Sequence, residues 1–128
     1  MNFGKTKKIF IVDDDPMLTE ALTDYLTPKM PHKIISFSTG EECLNHLYEE
    51  PDIIILDYYL NAVQKDAADG MQILQTIKKV SPKTHVIMLS SQERYAVAMQ
   101  TIQKGAEQYV IKDEDAFEKI AEMINAIQ

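Results

Sequence analysis

Three aspartates, Asp13, Asp14 and Asp15, stand directly behind the apolar run Ile9–Val12. Like charges packed this closely oppose one another's ionisation. The end of a buried strand tolerates them only with a cation nearby. A further aspartate, Asp57, ends the apolar run IIILD at 53–57. The hydroxyls of Ser90 and Ser91 end HVIML at 85–89, and the ammonium of Lys112 ends QYVI at 108–111. The clustered carboxylates suit a hard divalent cation. Mg²⁺ takes a few carboxylate oxygens and keeps waters, leaving room for a phosphoryl oxygen. One carboxylate can then attack phosphorus, as in aspartyl-phosphate enzymes. Metal and lysine stabilise charge on the transferring group. Asp57 is the best candidate nucleophile because it stands alone at a strand end, and Asp13 with Asp14 is the best metal cradle.

Those residues meet only if the elements between them fold suitably. The run KIFIV at 8–12 is short, apolar and rich in β-branched residues, as expected of a strand buried on both faces. Asp15 and Pro16 suit the start of a helix whose apolar face carries Leu18, Leu22, Tyr25 and Leu26. KIISF at 33–37 is a second strand, and Ser38 or Thr39 can cap a helix with Cys43, Leu44, Leu47 and Tyr48 on one side. Strand three ends at Asp57. Helix three carries Ile73, Leu74, Ile77 and Val80. Strand four is followed by a helix from about Glu93 to Lys104, stopped by Gly105. Its stripe Tyr95, Met99 and Ile102 reads as partly core, with an outer edge open to a partner. Strand five precedes a last helix with Phe117, Ile120, Ala121 and Ile124. Strands alternating with helices predict an α/β fold with a parallel sheet, helices on both faces and right-handed crossovers. Ligands of such sheets bind beyond the carboxyl ends of the strands.

The chain has 128 residues, enough for one domain (1–128) with a sizeable core. Its net charge of −7 argues against direct nucleic-acid binding, which needs a basic face. Cys43 is the sole cysteine, which excludes an internal disulfide and fits a reducing, cytoplasmic setting. No apolar run reaches membrane-spanning length. His32, His46 and His85 show no metal-ligand spacing.

VDDDP at 12–16, LD at 56–57, LSS at 89–91 and YVIK at 109–112 together resemble the response-regulator receiver domain of two-component signalling. Each motif is weak alone, but four at four successive strand ends are specific, and the likeness covers essentially the whole chain. The resemblance implies a flavodoxin-like three-layer sandwich with sheet order 2-1-3-4-5 and five helices. It implies Asp57 as phosphoacceptor, with Asp13, Asp14, Asp57 and the main-chain carbonyl of Tyr59 around Mg²⁺. Ser90 and Lys112 correspond to the groups that hold the phosphoryl oxygens, and Ser90 with Tyr109 to the switch pair. Implied partners are a histidine kinase or histidine phosphotransfer protein and a downstream effector. The face of helix four, strand five and helix five is the expected signalling surface, with a possible phosphorylation-dependent homodimer.

The chain departs from the family pattern at several points. Asn61 replaces a usual proline, and Asp69-Gly70 falls about five residues late, so 61–68 reads as an enlarged loop, most simply a surface insertion. Asp113 follows Lys112 where proline is typical, so the peptide isomer and the charge beside Lys112 are open questions. The Tyr59 side chain stands where it could slow attack by water on a phospho-aspartate. Two other functions compete: a receiver-like adaptor that is never phosphorylated, and a Mg²⁺-dependent phosphatase using Asp13 and Asp15 as a D-x-D pair.

Overall fold

The computed structural model describes residues 6–60, 66–91 and 94–127. Strands β1 (Lys8–Val12), β2 (Lys33–Phe37), β3 (Ile53–Asp57), β4 (His85–Ser90) and β5 (Gln108–Ile111) alternate with α1 (Pro16–Leu26), α2 (Gly40–Leu44), α3 (Gly70–Val80), α4 (Tyr95–Gln103) and α5 (Ala116–Ala126). All strand pairs are parallel, in the order β2-β1-β3-β4-β5. This is the expected flavodoxin-like order.

Successive side chains of a strand point to opposite faces, and both faces here are apolar. Ile9, Ile11, Ile53, Ile55, Ile87 and Leu89 meet Leu22 and Leu26 of α1 and Ile120 and Ile124 of α5. Phe10, Val12, Ile54, Leu56, Val86 and Met88 meet Cys43 of α2 and Ile73, Leu74 and Ile77 of α3. The sheet is therefore the middle of three layers, and burial on both sides explains its unbroken apolar runs.

Helix starts follow the polar residues before them. The Asp15 carboxylate accepts from the Met17 and Leu18 amides, and Pro16 occupies the first turn. Thr39 rather than Ser38 caps α2, accepting from Glu42 N–H, while Ser38 donates to the Glu42 carboxylate. Asp69 and Gln72 form a reciprocal capping box on α3. Gly105, at φ 113°, terminates α4 in a conformation that favours glycine.

Two expectations need correction. The second helix does not run on to Tyr48. The His46 ring binds the Glu42 carbonyl at 2.9 Å, and His46 N–H turns back to the Cys43 carbonyl, so the chain tightens into a 3₁₀ turn at Leu47–Glu49. Tyr48 is left 78% exposed. Likewise Tyr95, Met99 and Ile102 are not partly core but 78%, 41% and 40% exposed. Within α4 only Thr101 is buried, because the helix lies by the short edge strand β5 and has little sheet to cover. Helix four begins at Tyr95, and Glu93, the expected start, lies outside the described residues, as do residues 61–65 of the expected enlarged loop.

Candidate functional site

The order in which strands are added reverses between β1 and β3, since β1 pairs with β2 on one side and β3 on the other. Pairing of Val12 with Leu56 puts Asp13 and Asp57 side by side at the carboxyl ends. Pairing of Asp57 with Leu89, and of Ser90 with Ile111, carries the same edge on to Ser90 and Lys112. Backbone hydrogen bonds tie these ends together: Asp13 N–H donates to Phe37, Tyr58 N–H to Leu89, and Lys112 N–H to the Ser90 carbonyl at 2.8 Å.

The charged groups converge. Lys112 Nζ lies 3.1 Å from Asp13 Oδ2 and 3.1 Å from Asp57 Oδ1. One oxygen each from Asp13, Asp14 and Asp57 lies within 4.8 Å of the others. Asp13 and Asp57 are 3% and 2% exposed, whereas Asp14 is half-buried. Asp15 N–H donates to Asp13 Oδ1 at 2.9 Å, and Tyr59 N–H to Asp57 Oδ1 at 3.2 Å.

This is an electrostatically unbalanced basin. Burial pushes the Asp57 carboxyl up to about 6, and the neighbouring Asp13 charge adds to the rise against the pull of Lys112 and the Tyr59 amide. Burial also raises Asp13. Burial pushes the Lys112 ammonium down, but the Asp57 and Asp13 carboxylates outweigh it and hold its pKa above the usual value. Asp13 Oδ2 is buried and meets the Lys112 ammonium at 3.1 Å. Three hard oxygen donors against one ammonium match what a small divalent cation requires. A cavity of about 830 Å³, lined by Asp13, Asp14, Thr19, Glu20, Phe37 and Ser38 among others, opens on the Asp13–Asp14 side of the basin; Asp57 and Lys112 do not line it.

The other predicted residues are also placed. Ser90 is fully buried at the end of β4, and the half-buried Tyr109 phenol is hydrogen-bonded to it. Tyr58 and Tyr59 pack edge to face, 4.9 Å between ring centres, and Tyr59 is 38% exposed. The Lys112–Asp113 peptide is trans. The Asp113 carboxylate accepts from Asp115 N–H and lies 3.7 Å from Lys119, so its charge is directed toward α5. Asp15 is used as the α1 cap, which removes the second acid of a D-x-D pair from the basin. Gly70, expected only as part of a helix start, also belongs to the site. Its N–H donates to the Tyr58 carbonyl at 2.9 Å, and an added Cβ would collide with the Asp57 carbonyl oxygen and the Tyr58 backbone. Only the Asp-Gly pair itself signalled it, and that pair reads equally well as a helix start.

The chain belongs to the response regulator receiver domain family, whose model matches residues 9–125. It is 31% identical over 110 residues to the probable C4-dicarboxylate response regulator DctR of Bacillus subtilis, covering 84% of this chain and 46% of that protein. It is 32% identical to the transcriptional regulatory protein GlrR of Escherichia coli, covering 88% of this chain and 24% of that one. The chain thus spans half or less of these curated relatives. The BeF3-activated DrrB receiver domain superposes with a TM-score of 0.81 at 26% identity, covering 96% of this chain and 97% of that one. Among the described residues, no helix is long and apolar enough to cross a membrane.

Proposed function

We propose that the chain, as one receiver domain over 1–128, accepts a phosphoryl group on Asp57 and thereby switches a signalling surface. The donor is the phosphohistidine of a histidine kinase or histidine phosphotransfer protein. Asp13, Asp14, Asp57 and the Tyr59 carbonyl would hold Mg²⁺, which when bound would neutralise charge on the carboxylates and the transferring group. An Asp57 oxygen forms the bond to phosphorus as the bond from phosphorus to the donor imidazole nitrogen breaks, and the imidazole leaves with its electron pair. Lys112, held by both buried acids, is placed to pair with a phosphoryl oxygen. The Ser90 hydroxyl supplies a further hydrogen bond, which competes with its bond to Tyr109. Phosphorylation therefore acts on Tyr109 through Ser90, a local charge event biasing a two-state element. The exposed α4 stripe of Tyr95, Met99 and Ile102 lies in the face that presents the change to an effector or to a second copy in a homodimer. A cytoplasmic location goes with this role.

The observation that carries the reading is the reach of Lys112, which contacts two buried carboxylates of the same three-acid cluster. Incubation with acetyl phosphate tests it. Phosphoryl incorporation is expected with Mg²⁺, and loss of it on chelation. Absence of incorporation under both conditions leaves a pure interaction module instead.

Tyr59 bears on lifetime. Two residues beyond the acceptor, its partly exposed ring, packed on Tyr58, would narrow the path of an attacking water, so Tyr59→Ala is expected to hasten loss of the phosphoryl group severalfold. Equal decay rates in wild type and variant, followed by phosphate release, count against that role.

A further inference from the structure

Glu41, in the first turn of α2, reaches across the fold. Its Oε2 accepts from the Ala68 amide at 2.9 Å, joining residues 27 apart in sequence. Beyond Ala68 the chain is held without slack. Asp69 caps α3, and its own N–H donates to Gln72 at 3.0 Å. Gly70 N–H donates to the Tyr58 carbonyl, and Gly70 sits against the Asp57 carbonyl with no room for a Cβ. Ala68 and Tyr58 also pack on the same apolar cluster. The other end of the tie is equally constrained: Gly40, next to Glu41, lies so close to Ile73 of α3 that a Cβ there would collide with its side chain. Glu42, the other acid of that turn, is already engaged by Ser38 and Thr39.

We infer that Glu41 is a positioning residue for the phosphoacceptor segment, fixing the Asp57–Tyr59 backbone through Ala68 and Gly70. The inference rests on the receiver reading of the site but depends on a contact outside it. A carboxylate accepting from a backbone amide makes a directional, charge-assisted bond. Its loss removes one of the bonds that fix the entry to α3, and Gly70 N–H passes the added freedom on to the Tyr58 carbonyl. The Tyr59 carbonyl follows directly in the chain, so its placement as a cation ligand loosens. The expected consequence is weaker Mg²⁺ binding in a protein that remains folded.

Two readouts on the full chain separate the cases. In Glu41→Ala, amide hydrogen exchange at Ala68 and Gly70 is expected to accelerate, and calorimetric Mg²⁺ affinity to fall by roughly threefold to tenfold, the range one hydrogen bond supports. Glu41→Gln keeps a carbonyl acceptor and is expected to restore most of both. Unchanged exchange at Gly70, or unchanged Mg²⁺ affinity, in Glu41→Ala overturns the inference. So does a fall in affinity that Glu41→Gln fails to rescue and that tracks a lowered unfolding midpoint, since that marks a merely structural contact. A wild-type protein that binds no Mg²⁺ overturns the site reading, and with it the effect on affinity; the exchange data then still report whether the Glu41 tie exists.

Discussion

Lys112→Ala is expected to destabilise the metal-free protein by about 3 kcal/mol or more at pH 7, because two carboxylates stay buried after their shared cation is gone. The ion pairs themselves matter less than what remains without them. Asp13 and Asp57 are almost wholly enclosed, and each lies 3.1 Å from the ammonium. Removing it takes away the attraction that offsets their burial, so both acids bind protons more readily in the folded state. The loss is therefore expected to shrink as pH falls toward 4 and the carboxyls neutralise. Asp57→Asn added to Lys112→Ala is expected to recover part of the loss, which makes the two changes non-additive. Urea denaturation of the single and double variants at pH 4 and pH 7 checks all three statements. Equal losses at both pH values would place the role of Lys112 in packing of its aliphatic stem.

Asp57→Asn alone is expected to do the opposite, raising the stability of the metal-free protein at pH 7. The Asp57 carboxyl titrates at about 6 in the folded chain, above its ordinary value of 3.8. A raised carboxyl pKa means that the folded state holds its proton more tightly than the unfolded one. The stabilisation this supplies is complete below about pH 4 and is lost as pH rises through 6. At neutral pH the folded chain carries a buried charge that disfavours it by roughly 2–3 kcal/mol. Asparagine removes that charge with little change of shape. Wild-type stability is thus expected to decline from pH 4 to pH 7 in a step that Asp57→Asn lacks, and Mg²⁺ is expected to reverse the decline in the wild type by binding the folded state. Parallel pH profiles for the two proteins, without metal, would contradict this. A site that costs the apo protein stability is expected where function requires several buried charges together.

Much of this arrangement is legible in the chain itself. Runs such as IIIL at 53–56 and VIML at 86–89 are apolar at every position, so they define strands covered on both faces, and a polar or charged residue straight after each run must fall at a strand end. That logic finds Asp13, Asp57, Ser90 and Lys112 without coordinates. It fails where side chains compete with the backbone or where burial depends on neighbours. Nothing in the spacing of Cys43, Leu47 and Tyr48 shows that the His46 ring will take the Glu42 carbonyl and shorten the helix. Tyr95, Met99 and Ile102 have core-like chemistry at helical spacing, yet α4 has only the edge of the sheet beneath it. The roles of Gly70 and Glu41 are invisible for a different reason: each is defined by a partner far away in sequence, the acceptor backbone for one and the Ala68 amide for the other.

The measurement that bears most directly on the central claim is the location of the phosphoryl group. Wild-type protein treated with acetyl phosphate and Mg²⁺ is to be digested and mapped by mass spectrometry, beside Asp57→Asn treated in the same way. The account predicts one acid-stable, base-labile acyl phosphate on the peptide containing Asp57, absent from the variant and from samples prepared with chelator. A phosphoryl group on Asp13, or equal incorporation in Asp57→Asn, would contradict it.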